Sequence, residues 1–313
     1  MEQENSYKEL EKKARNKTKL FLLISLTFWM IGLFFFLNQS RHEQSLIFAK
    51  VLPTGLIIKP FVVVNDTSQI DPNVDPNTVI VDTSRIDTTI KIGSAYSLRK
   101  FAPAVLSQGQ LGSCVSWASA YAGFTILKRV ENSSSHQAFS PLNLFVRYKK
   151  QFNEDPCNDG ASIPYALNIL KSNGCELFNN FLPNDCSKDV AEDANYQEKL
   201  NSFKPISSSS ISTIKSVISQ KMPVVIGIKC YNGNYWENAV LNDGVWSGYY
   251  SGEQKGGHAM CLIGYDDNKA GGAFEIMNSW GDDWGDKGFF WIKYTDFVKH
   301  VDECYALIPK ETK

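Results

Sequence analysis

The feature that most constrains this chain is a change in the period of its apolar residues between its middle and its C-terminal third. Residues 115–130 (VSWASAYAGFTILKRV) are apolar around most of a helical circumference, with Gly123 as their one glycine. Such a helix belongs at the centre of a domain. Ser113 stands where an N-cap would sit for a helix beginning at Cys114, and Lys128 and Arg129 suit its last turn. Pro141 followed by LNLFVRYKKQF predicts a second helix, and IPYALNILKSNG a third that stops at Gly174. Residues 223–230, 258–265, 273–278 and 289–294 are instead short apolar runs of strand length between Gly, Asn and Asp. Helices followed by a mainly antiparallel sheet imply an α+β domain, with a groove between the halves as the natural place for chemistry.

Ahead of this domain, residues 20–37 (LFLLISLTFWMIGLFFFL) carry no charge. As a helix they would span about 27 Å, enough to cross a bilayer core. Lys8, Lys12, Lys13, Arg15, Lys17 and Lys19 precede the run, whereas Arg41 and Lys50 closely follow it. This asymmetry predicts a cytoplasmic N-terminus and an extracytoplasmic remainder. The following LNQSRHE lacks small residues at signal-cleavage spacing, which favours an uncleaved anchor. Residues 38–96 mix short β-branched runs with Asp-Pro and Asn-Asp turn chemistry and read as an extended connector.

Composition narrows the functional classes. The net charge is −1 and basic residues are not massed in the body of the chain, so neither DNA nor RNA is an expected partner. No Cys-x-x-Cys or His-rich spacing occurs, and neither a metal site nor a cofactor is implied. The seven cysteines are odd in number: with Cys114 set aside as a reactive thiol, six remain for up to three bridges.

Cys114 ends the stretch QGQLGSC at residues 108–114 and opens a helix. The unpaired N–H groups and positive dipole end of a helix N-terminus favour a thiolate there. A catalytic thiol needs a base. His42 and His136 lie in polar, loop-like contexts and His300 in a lysine-flanked helix or turn, whereas His258 follows Gly256 and Gly257 and opens the apolar run HAMCLIGY. Asn278, in MNSWGDDWG, ends another apolar run. Its amide can accept an imidazole N–H and fix the ring without adding charge. Trp280 stands where it could shield that bond from water.

Together these motifs resemble the papain-like cysteine peptidase family over about residues 97–308. They comprise residues 108–114, His258-Ala259 with Gly264-Tyr265, and the Asn-Ser-Trp-Gly of residues 278–281 followed by Trp284, Gly285, Gly288 and Phe289. The resemblance implies a two-lobed fold, with a helical lobe over about residues 110–186, an antiparallel β-barrel-like lobe over about 187–310, and an active site in the cleft between them. On this reading residues 1–19 form a cytoplasmic tail, 20–37 a single-pass anchor, 38–96 a connector or short pro-like region, and 97–310 the peptidase domain. Cys114 is the implied nucleophile, His258 its base, Asn278 the orienting amide and Gln108 an oxyanion-hole donor, with Gln110 its nearby competitor. The implied partner is a protein or peptide substrate.

The pattern departs from the family in places. Val115 stands where an aromatic residue usually follows the nucleophile, Leu111 replaces a half-cystine, and Asp159 replaces a glycine of the wall that binds substrate backbone. No long helical inhibitory segment is evident between residues 37 and 97. Cys157 and Cys186 fall close to family positions that take part in neighbouring bridges, which implies a disulfide between them. Two alternatives stand beside peptide hydrolysis: another acyl transfer by the same Cys-His pair, or a papain-like binding domain without activity.

Overall fold

The computed structural model describes residues 86–310, apart from 88, 156, 158–159, 179–185, 187–189, 191–194, 232–243 and 247–253. The expected anchor at 20–37 and nearly all of the connector lie outside the described residues. Among the described residues, no helix is long and apolar enough to cross a membrane.

The central helix, α1, opens as an α-helix over Cys114–Ser116, widens to a π-helix over Trp117–Phe124, and closes as an α-helix over Thr125–Glu131. Ser113 does not cap it with its side chain, contrary to the sequence expectation. At φ −100° and ψ 18° its backbone is outside the extended region that aims a cap hydroxyl at the first turn, and the hydroxyl donates instead to the Leu111 carbonyl (3.3 Å). The main-chain carbonyl of Ser113 accepts from the N–H groups of Ser116 (2.9 Å) and Trp117 (3.1 Å), which starts the helix. Where the π-turn ends, the Thr125 hydroxyl donates to the Ala120 carbonyl (3.2 Å) and accepts from the Phe139 N–H (3.1 Å). Gly123 lets this helix rest on the sheet: a Cβ there would lie 2.8 Å from Leu307 Cδ1 and 3.3 Å from Val225 Cγ2.

Helix α2 (Pro141–Gln151) starts where the sequence predicts, with Pro141 in its first turn and the Ser140 hydroxyl accepting from the Asn143 N–H (3.1 Å). Helix α3 (Ile163–Ser172) ends just before Gly174, whose φ of +75° and close approach to the Glu198 carbonyl exclude a side chain. Leu144, Tyr148, Ile163 and Leu167 of these helices pack with Phe124 and Leu127 of α1 in one buried cluster, which continues into Val225, Ala259 and Leu307 of the sheet. Helix α4 (Ile211–Ser219) and helix α5 (Tyr294–His300) are set between strands along the C-terminal half of the chain.

The sheet comprises β1 (Ala95–Ser97), β2 (Ser202–Pro205), β3 (Val224–Tyr231), β4 (Val245–Trp246), β5 (Gln254–Asp266), β6 (Ala273–Met277), β7 (Phe289–Lys293) and β8 (Val301–Ile308). Its order is β2-β8-β3-β5-β6-β7-β4, with β1 paired to β5. All pairings are antiparallel except that of β4 with β7. Among the described residues no pairing joins β2 to β4. The sheet's end strands, β2 and β4, have four and two residues. Cys157 and Cys186 form a disulfide, and the other five cysteines are buried thiols.

Candidate active site

The site is assembled by three segments distant in sequence. Cys114 opens α1 and is almost fully buried, in the same cluster as Ala259, the residue after His258 on β5. His258 lies inside β5 opposite Ile228 of β3, and Gly256 and Gly257 continue the strand before it instead of marking its start. Asn278 follows the last residue of β6, and its N–H donates to the Gly288 carbonyl (3.0 Å), which anchors the strand end.

His258 Nε2–H donates to Asn278 Oδ1 at 2.8 Å, and both residues are buried. The same oxygen accepts from the Ser279 N–H at 2.8 Å, so two donors fix which end of the amide faces the ring. This tautomer leaves Nδ1 as the basic nitrogen. Trp280 stacks on the imidazole with centroids 4.8 Å apart and an interplanar angle of 26°, covering the bond from solvent. Burial pushes the His258 imidazole down to about 4, while the bond to Asn278 pulls the other way. An imidazolium here therefore needs a nearby negative charge.

Residues 106–108 run alongside 279–281. The Gln108 N–H donates to the Ser279 carbonyl (2.8 Å), the Gly281 N–H to the Leu106 carbonyl (3.3 Å), and Ser107 bridges Trp280. Gln108 is thereby buried beside the Asn278 loop, with its Oε1 accepting from the Ser279 hydroxyl (2.7 Å) and its Nε2 donating to the Leu111 carbonyl (3.0 Å). Its amide is oriented by both ends. Gln110, the sequence competitor, is exposed. Ser279 is a contributor that the sequence pattern does not single out, although it sits inside the motif that draws attention to Asn278.

Arg99 ties the loop after Trp280 to the start of the domain. Its guanidinium reaches Asp286 Oδ2 (2.8 Å), the Asp286 carbonyl (3.0 Å) and buried Glu275 (3.3 Å), and lies 4.0 Å over the Phe289 ring. His300, the last residue of α5, is buried against the Trp246 ring, and His136 stands exposed outside the site. His42 falls outside the described residues. Burial pushes the Cys175 thiol up to about 12 and the Cys261 and Cys304 thiols upward as well, which marks them as inert core residues. No cluster of His, Cys, Asp and Glu suited to a metal ion occurs among the described residues.

Residues 95–306 match the family described as papain family cysteine protease. The chain belongs to that family. Among curated papain-like relatives, an uncharacterized peptidase C1-like protein of Acanthamoeba polyphaga mimivirus is 28% identical over 238 residues, covering 68% of this chain and 74% of the relative. Cathepsin K of Mus musculus is 23% identical over 199 residues, covering 62% of this chain and 57% of its own length. Among solved structures, xylellain, a cysteine protease from Xylella fastidiosa, superposes with a TM-score of 0.63 at 21% identity, covering 77% of this chain and 95% of that one. At that identity the likeness establishes a shared papain-like fold, of mixed α and β content.

Proposed function

We propose that this papain-family chain hydrolyses peptide bonds through a covalent thioester, with Cys114 as nucleophile and His258 as its proton partner. The observation that carries the reading is the buried 2.8 Å bond from His258 Nε2–H to Asn278 Oδ1 under Trp280, on a strand packed against the helix that Cys114 opens. That bond holds the ring by one nitrogen and commits the other to proton transfer.

In the first half-reaction the Cys114 sulfur attacks the substrate carbonyl carbon, and the carbonyl oxygen takes up negative charge. Gln108 Nε2–H and the Cys114 N–H are the donors proposed for that oxyanion, and a donor of this kind lowers the barrier by about 3 kcal/mol. Collapse of the adduct breaks the C–N bond, the imidazolium gives its proton to the departing amine, and an acyl-enzyme remains. In the second half-reaction His258 takes a proton from water as the water oxygen attacks the thioester, and breaking the C–S bond releases the acid and restores the thiolate–imidazolium pair. Because burial opposes charge on His258, the imidazolium is stable in this site only while the Cys114 thiolate faces it, so the two titrate as a pair. Activity then rises in acid as the pair forms and falls in alkali as the imidazolium loses its proton.

The test is labelling of the reduced protein with an epoxysuccinyl probe, with the adduct mapped by mass spectrometry. The reading expects one adduct, on Cys114. An unlabelled Cys114 in folded protein would favour a papain-like binding domain, and dependence of product on added amine would favour acyl transfer.

We further propose that residues 20–37 anchor the domain on the extracytoplasmic side of a membrane. The uncharged run and the excess of basic residues before it support this reading. Digestion of the domain by protease added to intact cells is the expected result, and its protection would reverse the orientation.

A further inference from the structure

Asn278 has one end of its amide accounted for and one end not. Its Oδ1 accepts from His258 and from the Ser279 N–H, and a flipped amide is excluded because it would set Nδ2 against the Ser279 N–H. Nδ2 is buried and finds no acceptor among the described residues, in a side chain only 3% exposed. A buried amide donor without an acceptor is rare, and each case calls for a partner.

The same side chain lines a small cavity between α1 and the end of β6, walled chiefly by Trp117, Ala118, Tyr121, Ala122 and Met260. About 10 Å³ of it is open to the centre of a water-sized sphere, room for one water and nothing larger. Ala118 and Ala122 are one helical turn apart on α1, and their small side chains leave this space. Apolar cavities stay dry, but this one has the polar residues Asn278 and Ser279 among those that line it.

We propose that this cavity holds one ordered water, which accepts from Asn278 Nδ2 and so pins the amide that holds His258. The proposal rests on the orienting role given to Asn278 above. Ordinary side-chain contacts position the amide by shape alone. A bound water positions it by a third hydrogen bond, leaving no low-energy rotation in which Oδ1 leaves the imidazole. The water is then a positioning element for the reaction, acting through Asn278 on His258.

Two measurements test this in the full chain. The first is a crystal structure of Cys114→Ala at a resolution that resolves ordered solvent. Density in the cavity within hydrogen-bond distance of Asn278 Nδ2 is expected, and a dry cavity overturns the site without touching the mechanism. The second is Ala122→Val, which fills the cavity, compared with Ala122→Ser, which leaves it nearly open. Ala122→Val should lower kcat about tenfold with KM unchanged and move the alkaline limb of the pH profile to lower pH, while Ala122→Ser stays near wild type. Wild-type kcat and pH limbs in a folded Ala122→Val protein would overturn the positioning role. Wild-type kcat in Asn278→Ala would overturn the orienting role of the amide itself, and the crystallographic result would still decide whether the water is there.

Discussion

The depressed His258 imidazole makes the stability of the domain depend on pH in a direction that can be measured without substrate. In Cys114→Ala the thiolate proposed to face the ring is absent, and burial, outweighing the bond to Asn278, holds the imidazole near 4 against about 6.5 in the unfolded chain. Between those values the unfolded state binds a proton that the folded state refuses. Stability is therefore full above about pH 6.5 and is lost as the pH falls through that window toward 4. A difference of that size corresponds to about 3 kcal/mol. The assay is urea unfolding at several pH values between 4 and 7, comparing Cys114→Ala with Cys114→Ala/His258→Gln, so that titration of the carboxylates common to both cancels. The expected gap in pH dependence is about 3 kcal/mol, with the histidine protein the more acid-sensitive. Equal slopes, or a histidine protein that gains stability in acid, would refute the claim that burial dominates at this ring.

Three further outcomes follow from the packing around the site. Replacing Cys157 and Cys186 by Ser removes a bridge that closes a loop of 29 residues in sequence separation, and should lower stability by about 3–4 kcal/mol in denaturant melts under oxidising conditions, with no difference under reducing ones. Arg99→Met leaves Glu275, which is 3% exposed, with the Ser97 hydroxyl as its side-chain partner among the described residues; because Arg99 is itself one-third exposed, the expected loss is about 2 kcal/mol, partly restored by adding Glu275→Gln. Gly123→Val drives α1 off Leu307 and Val225 and should cost about 1–3 kcal/mol, read as a lowered Tm.

The three helices of the first half are legible in the sequence because each combines a continuous apolar face with local punctuation, such as Pro141 and Gly174. The π-turn in α1 is not legible: nothing in WASAYAGF distinguishes it from an α-helix, and the widened turn is set among small residues that pack on the sheet. Gly256 and Gly257 suggest a strand boundary, yet they pair with Cys230 and Lys229 within the ladder. Strand β2 is too short to carry a period, and α4 and β8 escape notice because serines and charges interrupt their apolar positions. At the site, the identities of Cys114, His258, Asn278 and Gln108 stand out as motifs. The bond from Ser279 to Gln108 does not, because it joins residues 171 apart through a pairing that only the folded chain creates. The low affinity of His258 for a proton is likewise a property of burial, which no local pattern announces.

The central claim is that one thiol, Cys114, does the bond-breaking. Its most direct measurement is cleavage of a protein or peptide-amide substrate by purified wild-type chain and by Cys114→Ala under reducing conditions, with both proteins shown to be folded. Turnover by the wild type and none by Cys114→Ala is the expected result. Equal cleavage by the two would contradict it.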